Sequence, residues 1–273
     1  MPEIETNGVE TYYERRGSGP QVVFVHGAIL DHSQWDPQVE ALAEDYEVIT
    51  YDVRGHGRTG GSPVGTYSVG LFAADLRALV DALDLDRPVV CGLSMGGCIA
   101  QVYAAAHPGE ISGLVLADTF APELGGRGEW VQRSLLLRAT VPFVRLVGYE
   151  RVERALVWLQ RRLHGARVGG DYERVEALRA SGPKLTTAEF AKVVRAVAAF
   201  HETTVDLAAI AAPTLVLYGE HEPPFVRRHA ATFAAGIPNV EVREVPDAGH
   251  ASNLDNPEFF TAELGAFLDG VRA

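Results

Sequence analysis

The chain has 273 residues and a formal net charge of −12, and 47% of its residues are hydrophobic. This composition allows a large core within one α/β domain, and the negative charge argues against nucleic acid or an anionic membrane as a partner. No apolar run is long enough to cross a bilayer, and the first residues lack the basic and apolar regions of a signal peptide. We therefore expect a cytoplasmic protein.

The first predicted element is a β-hairpin, because Asn7-Gly8 lies between two short strand-like runs. Short apolar runs follow, separated mostly by helical stretches such as 68–83 and 229–235. These runs cover residues 22–25, 48–51, 89–91, 114–117, 214–218 and 240–242. Continuous apolar runs are typical of parallel strands that are covered on both faces. The order predicts an α/β fold with a doubly wound, mostly parallel sheet, whose first element is an antiparallel hairpin.

One long interval, between Asp118 and Thr214, shows no strand pattern. Helical periodicity appears there over 130–140 and 151–163, and Thr186-Thr187-Ala188-Glu189 is a capping box that predicts the start of another helix. Helices inserted between two core strands, at the edge where the strands end, would cover that edge of the sheet.

This interval divides the chain into a core of residues 1–120 and 206–273 and a helical cap of residues 121–205. Apolar side chains of the cap can line a substrate pocket, although amphipathic stripes also form ordinary core. The candidate substrate contacts are Trp130, Phe143 and Trp158.

The sequence Gly92-Leu93-Ser94-Met95-Gly96 joins a strand-like run to a helical one, with one serine at the apex. A serine on such a sharp turn needs an unusual backbone conformation, and side chains at Gly92 and Gly96 would crowd it. The turn raises the hydroxyl above the sheet, and the start of the helix offers free N–H groups to negative charge. Ser94 is therefore a candidate nucleophile.

A serine hydroxyl becomes a good nucleophile only when a base takes its proton and a carboxylate orients that base. His250, in a loop after the last strand, is the candidate base. Glu222, in the loop after 214–218, gives the order serine, acid, histidine along the chain, and Asp118 is the alternative acid.

The cluster Glu220-His221-Glu222 contains metal-binding side chains, but no third ligand stands at a telling spacing. We therefore expect no metal and no cofactor.

Several spaced motifs in the same order resemble the α/β-hydrolase family, in its capped esterase or lactonase branch, over essentially the whole chain. They are His26-Gly27-Ala28, Asp52-Val53-Arg54-Gly55-His56-Gly57, the turn at Ser94, and Ala248-Gly249-His250. Most relatives carry aspartate where this chain has Glu222, a difference of one methylene.

Stabilisation of an oxyanion requires two N–H donors. One donor is the backbone of Met95, which follows the nucleophile. The resemblance implies that the other is Ala28, with Ile29 as the alternative.

An acyl-serine intermediate that water resolves would cleave an ester, a lactone or a thioester. The leading interpretation is a carboxylesterase whose partner is a small hydrophobic ester; the sequence does not indicate an oligomeric state. A cofactor-free perhydrolase and a carbon–carbon bond hydrolase use the same triad and stay open as alternatives. Perhydrolases often carry a proline in the oxyanion loop, and residues 28–30 contain none. A lyase or a ligand receptor on the same scaffold is a further reading.

Overall fold

Eight strands form one sheet in the computed structural model, which describes residues 2–148, 151–152, 154–155, 158, 162 and 172–272. The strands are β1 (Glu3–Thr6), β2 (Val9–Arg16), β3 (Gln21–Val25), β4 (Glu47–Tyr51), β5 (Val89–Leu93), β6 (Gly113–Ala117), β7 (Thr214–Gly219) and β8 (Val240–Val245). Their order across the sheet is β1-β2-β4-β3-β5-β6-β7-β8. Strand β2 pairs antiparallel with both β1 and β4, and the six strands β3 to β8 are parallel to one another. The predicted fold class is confirmed.

Helices connect the strands and cover both faces of the sheet. The α-helices are α1 (Asp36–Leu42), α2 (Val69–Ala82), α3 (Met95–Ala106), α4 (Arg127–Trp130), α5 (Leu137–Val147), α6 (Tyr172–Ser181), α7 (Thr187–Ala198), α8 (Pro224–Gly236), α9 (Ser252–Asp255) and α10 (Pro257–Arg272). A π-helical segment, Val131–Leu136, joins α4 to α5. Helix α8 begins five residues before the predicted stretch at 229–235, because Pro224 occupies its first turn, where a missing N–H costs nothing.

Two hydrophobic cores lie on opposite faces of the sheet. Helices α2 and α3 supply one core, in which Phe72 and Tyr103 are fully or almost fully buried. Helices α1 and α10 cover the other face, where Trp35 contacts Phe24 and Phe260. Burial of each such side chain contributes roughly 1.5–3 kcal/mol, so the two cores hold the sheet rigid beneath the loops that follow its strands.

The parallel strands end at one edge of the sheet. Val25 pairs with Gly92, Leu93 pairs with Ala117, and Ala117 pairs with Leu217. This register places the loops that follow β3, β5, β6 and β7 side by side, which is where ligands bind in open α/β sheets.

The segment between β6 and β7 contains helices α4 to α7. The predicted helix at 130–140 forms part of a longer helical stretch, with π-helical geometry in its middle. The Thr186 side chain accepts the N–H of Glu189 and caps α7, as the capping box predicts. The predicted helix at 151–163 falls mostly outside the described residues, and the division of the chain at 120 and 205 stays a prediction.

Within the described ranges, no helix combines the length and the apolar character that a membrane span requires.

Candidate active site

Ser94 lies at the sharp turn between β5 and α3. Its backbone is in a strained region, with φ 54° and ψ −114°. A Cβ at Gly92 would lie 2.2 Å from the carbonyl oxygen of Gly96, and a Cβ at Gly96 would lie 2.1 Å from the carbonyl oxygen of Val25. Only glycine fits at both positions, so the sequence pattern is explained by backbone contacts on two sides of the turn.

His250 approaches this serine from the loop after β8. Its Nε2 lies 2.9 Å from Ser94 Oγ, and its Nδ1 lies 2.7 Å from Glu222 Oε1. With Nδ1 donating its proton to the carboxylate, Nε2 carries the lone pair that accepts the serine proton. The structure therefore brings the predicted nucleophile, base and acid into one continuous chain of hydrogen bonds.

The loops that carry Glu222 and His250 are locked to each other. The N–H of His221 donates to the carbonyl of Ala248 at 2.8 Å, and a Cβ at Gly219 would lie 2.3 Å from the carbonyl oxygen of Gly249. The Glu222 side chain is fully buried, and its Oε2 has no hydrogen-bond partner in the described part of the chain. The one oxygen that is bonded points at the histidine.

Asp118, the alternative acid, has a different set of partners. Its Oδ1 accepts the N–H of Gly219 at 3.0 Å, and its Oδ2 accepts the N–H and the hydroxyl of Ser252 at 2.9 and 2.6 Å. The side chain is buried, and the residue has a positive φ of 47° at the end of β6. Asp118 therefore ties the end of β7 to the start of α9 and makes no hydrogen bond to His250.

The charges around His250 set its protonation. Burial lowers the pKa of His250, but the Coulombic interaction and hydrogen bond with Glu222 raise it more, and Asp118 and Asp255 add to this effect. The net result is a pKa of about 9. Burial, followed by repulsion from Glu222, raises the pKa of Asp118 well above its ordinary value.

The candidate oxyanion donors lie where β3 and α3 meet. A Cβ at Gly96 would come within 2.9 Å of the carbonyl oxygen of His26, so the loop after β3 runs against the start of α3. Among the hydrogen bonds of the described residues, the N–H groups of Ala28, Ile29 and Met95 have no acceptor. Ile29 has a positive φ of 61°, which a β-branched residue rarely adopts and which marks a constrained turn.

Two side chains hold this loop in place from inside. His26 is fully buried and neutral: its Nδ1–H donates to the carbonyl of Gly27, its Nε2 accepts the N–H of Val53, and burial lowers its pKa. Gln34 Oε1 accepts the N–H of Gly27 at 2.8 Å. His26 thus shapes the loop.

Sequence reasoning missed two supporting residues, Gln34 and Thr119. The Thr119 hydroxyl, in the loop after β6, donates to the carbonyl of Ser94 at 2.7 Å and fixes the turn. Neither residue stands in a motif, and both act on residues brought close only by the fold, so no local pattern could have revealed them.

The remaining candidates lie apart from this chain of hydrogen bonds. Glu220 accepts the N–H of Asp247 at 3.0 Å, and its carboxylate lies near the side chains of His221 and Asp247, whereas Glu222 bonds to His250. Trp130 is 42% exposed, and Phe143 and Trp158 are each 61% exposed. Their assignment to a substrate pocket stays a prediction.

Known proteins that are similar in sequence or structure have the same fold. The family model described as the alpha/beta hydrolase fold matches residues 20–257 of the chain. The curated protein 3-oxoadipate enol-lactonase 1 of Acinetobacter baylyi is 26% identical over 272 residues, which cover 98% of this chain and 93% of that protein.

Two solved structures match over nearly their full length. The enol-lactonase from Burkholderia xenovorans LB400 is 27% identical with a TM-score of 0.81, and the match covers 98% of this chain and 100% of that one. A thermophilic esterase from Thermogutta terrifontis, solved with malate bound, is 28% identical with a TM-score of 0.77, covering 100% and 98%.

Proposed function

Since the chain belongs to the α/β-hydrolase fold family, we propose that it is a serine hydrolase that cleaves carboxylic esters, cyclic esters included, through an acyl-Ser94 intermediate. The observation that carries this proposal is the hydrogen-bonded series Ser94 Oγ, His250 Nε2, His250 Nδ1 and Glu222 Oε1, with separations of 2.9 and 2.7 Å.

In the first half of the reaction, Ser94 Oγ attacks the carbonyl carbon of the ester as His250 Nε2 takes its proton. The negative charge that forms on the carbonyl oxygen is stabilised by the N–H of Met95 and, from the loop after β3, the N–H of Ala28 or Ile29. Glu222 stabilises the imidazolium and keeps the imidazole in the productive tautomer. His250 then returns its proton to the departing alcohol oxygen, and the acyl group remains on Ser94.

In the second half, water attacks the acyl-serine carbonyl while His250 Nε2 takes the water proton. Collapse of the second tetrahedral intermediate breaks the bond to Ser94 Oγ, which recovers its proton from His250. The products are a carboxylic acid and an alcohol. In a cyclic ester the two products are one molecule, a hydroxy acid or, from an enol ester, its keto tautomer.

Relatives named as enol-lactonases and an esterase support small esters and lactones as the substrate class. The segment 121–205 is assigned the role of a cap. Arg174 of α6 donates a hydrogen bond to the carbonyl of Leu254, in the helix that follows the His250 loop, and this contact supports the role of a cap.

A panel of p-nitrophenyl esters of increasing acyl length, together with simple lactones, tests the activity. Ser94→Ala is expected to abolish turnover of every substrate and to prevent labelling by a fluorophosphonate, because the acyl group would have no acceptor. Ser18→Ala, in an exposed loop, is the matched control and should keep both activity and labelling.

Labelling that persists in Ser94→Ala would contradict the assignment of the nucleophile. Wild-type protein that is labelled by the fluorophosphonate but turns over no ester or lactone would contradict the substrate class and leave the nucleophile in place.

A further inference from the structure

The helical segment from α4 to α5 exposes apolar side chains that the fold leaves uncovered. Among the described residues, large hydrophobic side chains with high exposure lie between 130 and 158, apart from Val64. The insertion face is defined by Trp130, Leu135, Leu136, Phe143, Leu146 and Val147. Leu146 is 82% exposed, an unusual state for leucine in a folded domain.

Helix α5 has one buried side and a different side that carries part of the insertion face. Val141 and Val144 pack against Phe190 and Val194 of α7, with Ile29 of the oxyanion loop at the edge of the cluster. At 3.6 residues per turn, Leu136, Phe143 and Val147 fall together on a different side of the helix, with Leu146 beside them. The insertion face is therefore a second apolar stripe, distinct from the one that attaches the helix to the protein.

The base of this helical segment is anchored to α8 by hydrogen bonds to the buried carboxylate of Glu129. Glu129 accepts hydrogen bonds from Arg133, His229 and Arg228 at 2.6, 2.7 and 2.7 Å. Burial alone would raise the pKa of Glu129, but these three donors outweigh burial and lower the pKa to about 2, so the carboxylate stays ionised. This anchor fixes the direction in which the insertion face points.

The segment that carries the insertion face has a sequence charge opposite in sign to that of the whole chain. Residues 127–162 contain eight arginines and three glutamates, in a chain of net charge −12. Arg127 and Arg145 are exposed and form no ion pair with any described residue, whereas Arg138 pairs with Glu202 and Arg154 pairs with Glu176. Arg138 and Arg145 lie seven residues apart and share one side of helix α5. This side borders the insertion face at Leu146 and lies away from its other members on the helix.

A partner of this face must be apolar and anionic at once. A second copy is a poorer fit: pairing through the same face opposes arginine to arginine, and outside residues 130–158 only Val64 among the described residues is a large exposed hydrophobic side chain. An anionic lipid surface supplies an apolar phase and negative headgroups in one plane. The negative charge of the whole chain argues against such a partner, but its local distribution reverses that argument.

We propose that the insertion face docks the protein onto an anionic lipid surface. The proposal concerns binding alone and does not depend on the chemistry at Ser94.

The test is flotation of the full-length protein with vesicles of phosphatidylglycerol or of phosphatidylcholine. Binding to phosphatidylglycerol is expected to be at least about tenfold stronger and to weaken as sodium chloride is raised, because salt screens the arginines. Ser94→Ala should bind as the wild type does, which separates failure of this proposal from failure of the proposed function.

Two double variants examine the two components of binding. Leu136→Ser with Leu146→Ser should weaken binding by more than about tenfold, because two exposed leucines no longer enter the apolar phase. Arg127→Gln with Arg145→Gln should weaken it by about fivefold per arginine. The matched controls are Val64→Ser and Arg243→Gln, which are exposed elsewhere and should bind like the wild type.

Equal binding to the two lipids, or absence of binding, would overturn the proposal. So would a dimer in solution that the leucine pair disrupts, because a second copy would then be the occupant. The arginine pair and the salt titration remain informative even if the leucine variant is poorly folded.

Discussion

Asp118, at the end of β6, and Glu222, in the loop after β7, are buried carboxylates beside the same histidine loop, and their hydrogen bonds differ in kind. Asp118 accepts three donors, from Gly219 and Ser252, and all of them belong to the framework. Glu222 has one bonded oxygen, which faces His250, and a second oxygen without a partner in the described chain. Asp118 therefore holds the elements around the site together, whereas Glu222 is available to the base, His250.

The difference follows from local backbone geometry. Asp118 leaves its strand with a positive φ, and this turns its side chain back toward the neighbouring strand and α9. Glu222 lies three residues beyond the end of β7, and its longer side chain reaches the histidine ring.

The largest expected effect distinguishes the two carboxylates in catalysis. Glu222→Gln is expected to lower kcat on the order of ten-thousandfold, because the amide permits the wrong tautomer of His250 and no longer stabilises the imidazolium. Asp118→Asn should lower kcat less than about tenfold, since its hydrogen bonds do not reach the ring. Steady-state kinetics on the best ester measures both.

Glu220→Gln is the matched control for the first variant, because Glu220 lies in the same loop and bonds to Asp247. Near-normal activity in Glu222→Gln beside an inactive Asp118→Asn would reverse the assignment of the acid.

The second expected effect is on stability. Asp118→Asn places an amide nitrogen against an N–H donor and leaves a buried group unpaired, so the free energy of unfolding should fall by about 1–3 kcal/mol. Urea denaturation measures this change. Asp247→Asn, in an exposed turn, is the control and should alter stability by less than about 0.5 kcal/mol. Unchanged stability of the Asp118 variant would show that its three hydrogen bonds are not part of the framework.

These carboxylates also show how far the sequence predicts the site. The parallel sheet and the turn at Ser94 follow from apolar runs and glycine spacing, which act over a few residues. The choice between Glu222 and Asp118 stayed open, because both follow strands that end at the same edge of the sheet, and their hydrogen bonds are visible only in the fold. Thr119 and Gln34 were missed for a related reason, since each bonds to a residue on a different strand or loop. The π-helical segment Val131–Leu136 has no signature in the periodicity that predicted its helix.

The smallest expected effect lies in the pH dependence. His250 must be neutral to accept the serine proton, so kcat/KM should rise with pH through the pKa of this histidine in the free enzyme. The carboxylates that face His250 are Glu222, Asp118 and Asp255, and together they raise its pKa from the ordinary 6.5 to about 9. The acidic limb of the profile should therefore lie above pH 6.5.

Asp118→Asn removes one of these charges without breaking a bond to the ring, so it should move the limb to lower pH by less than about one unit, because each unit requires about 1.4 kcal/mol of interaction. Asp247→Asn, in the histidine loop but not among the charges that raise this pKa, should leave the limb in place. The profile is measured with a substrate that does not ionise between pH 5 and pH 10. A limb that does not move in Asp118→Asn would mean that Asp118 already carries a proton in the free enzyme. Burial and repulsion from Glu222, which raise the pKa of Asp118, would then have raised it above the pH of the limb.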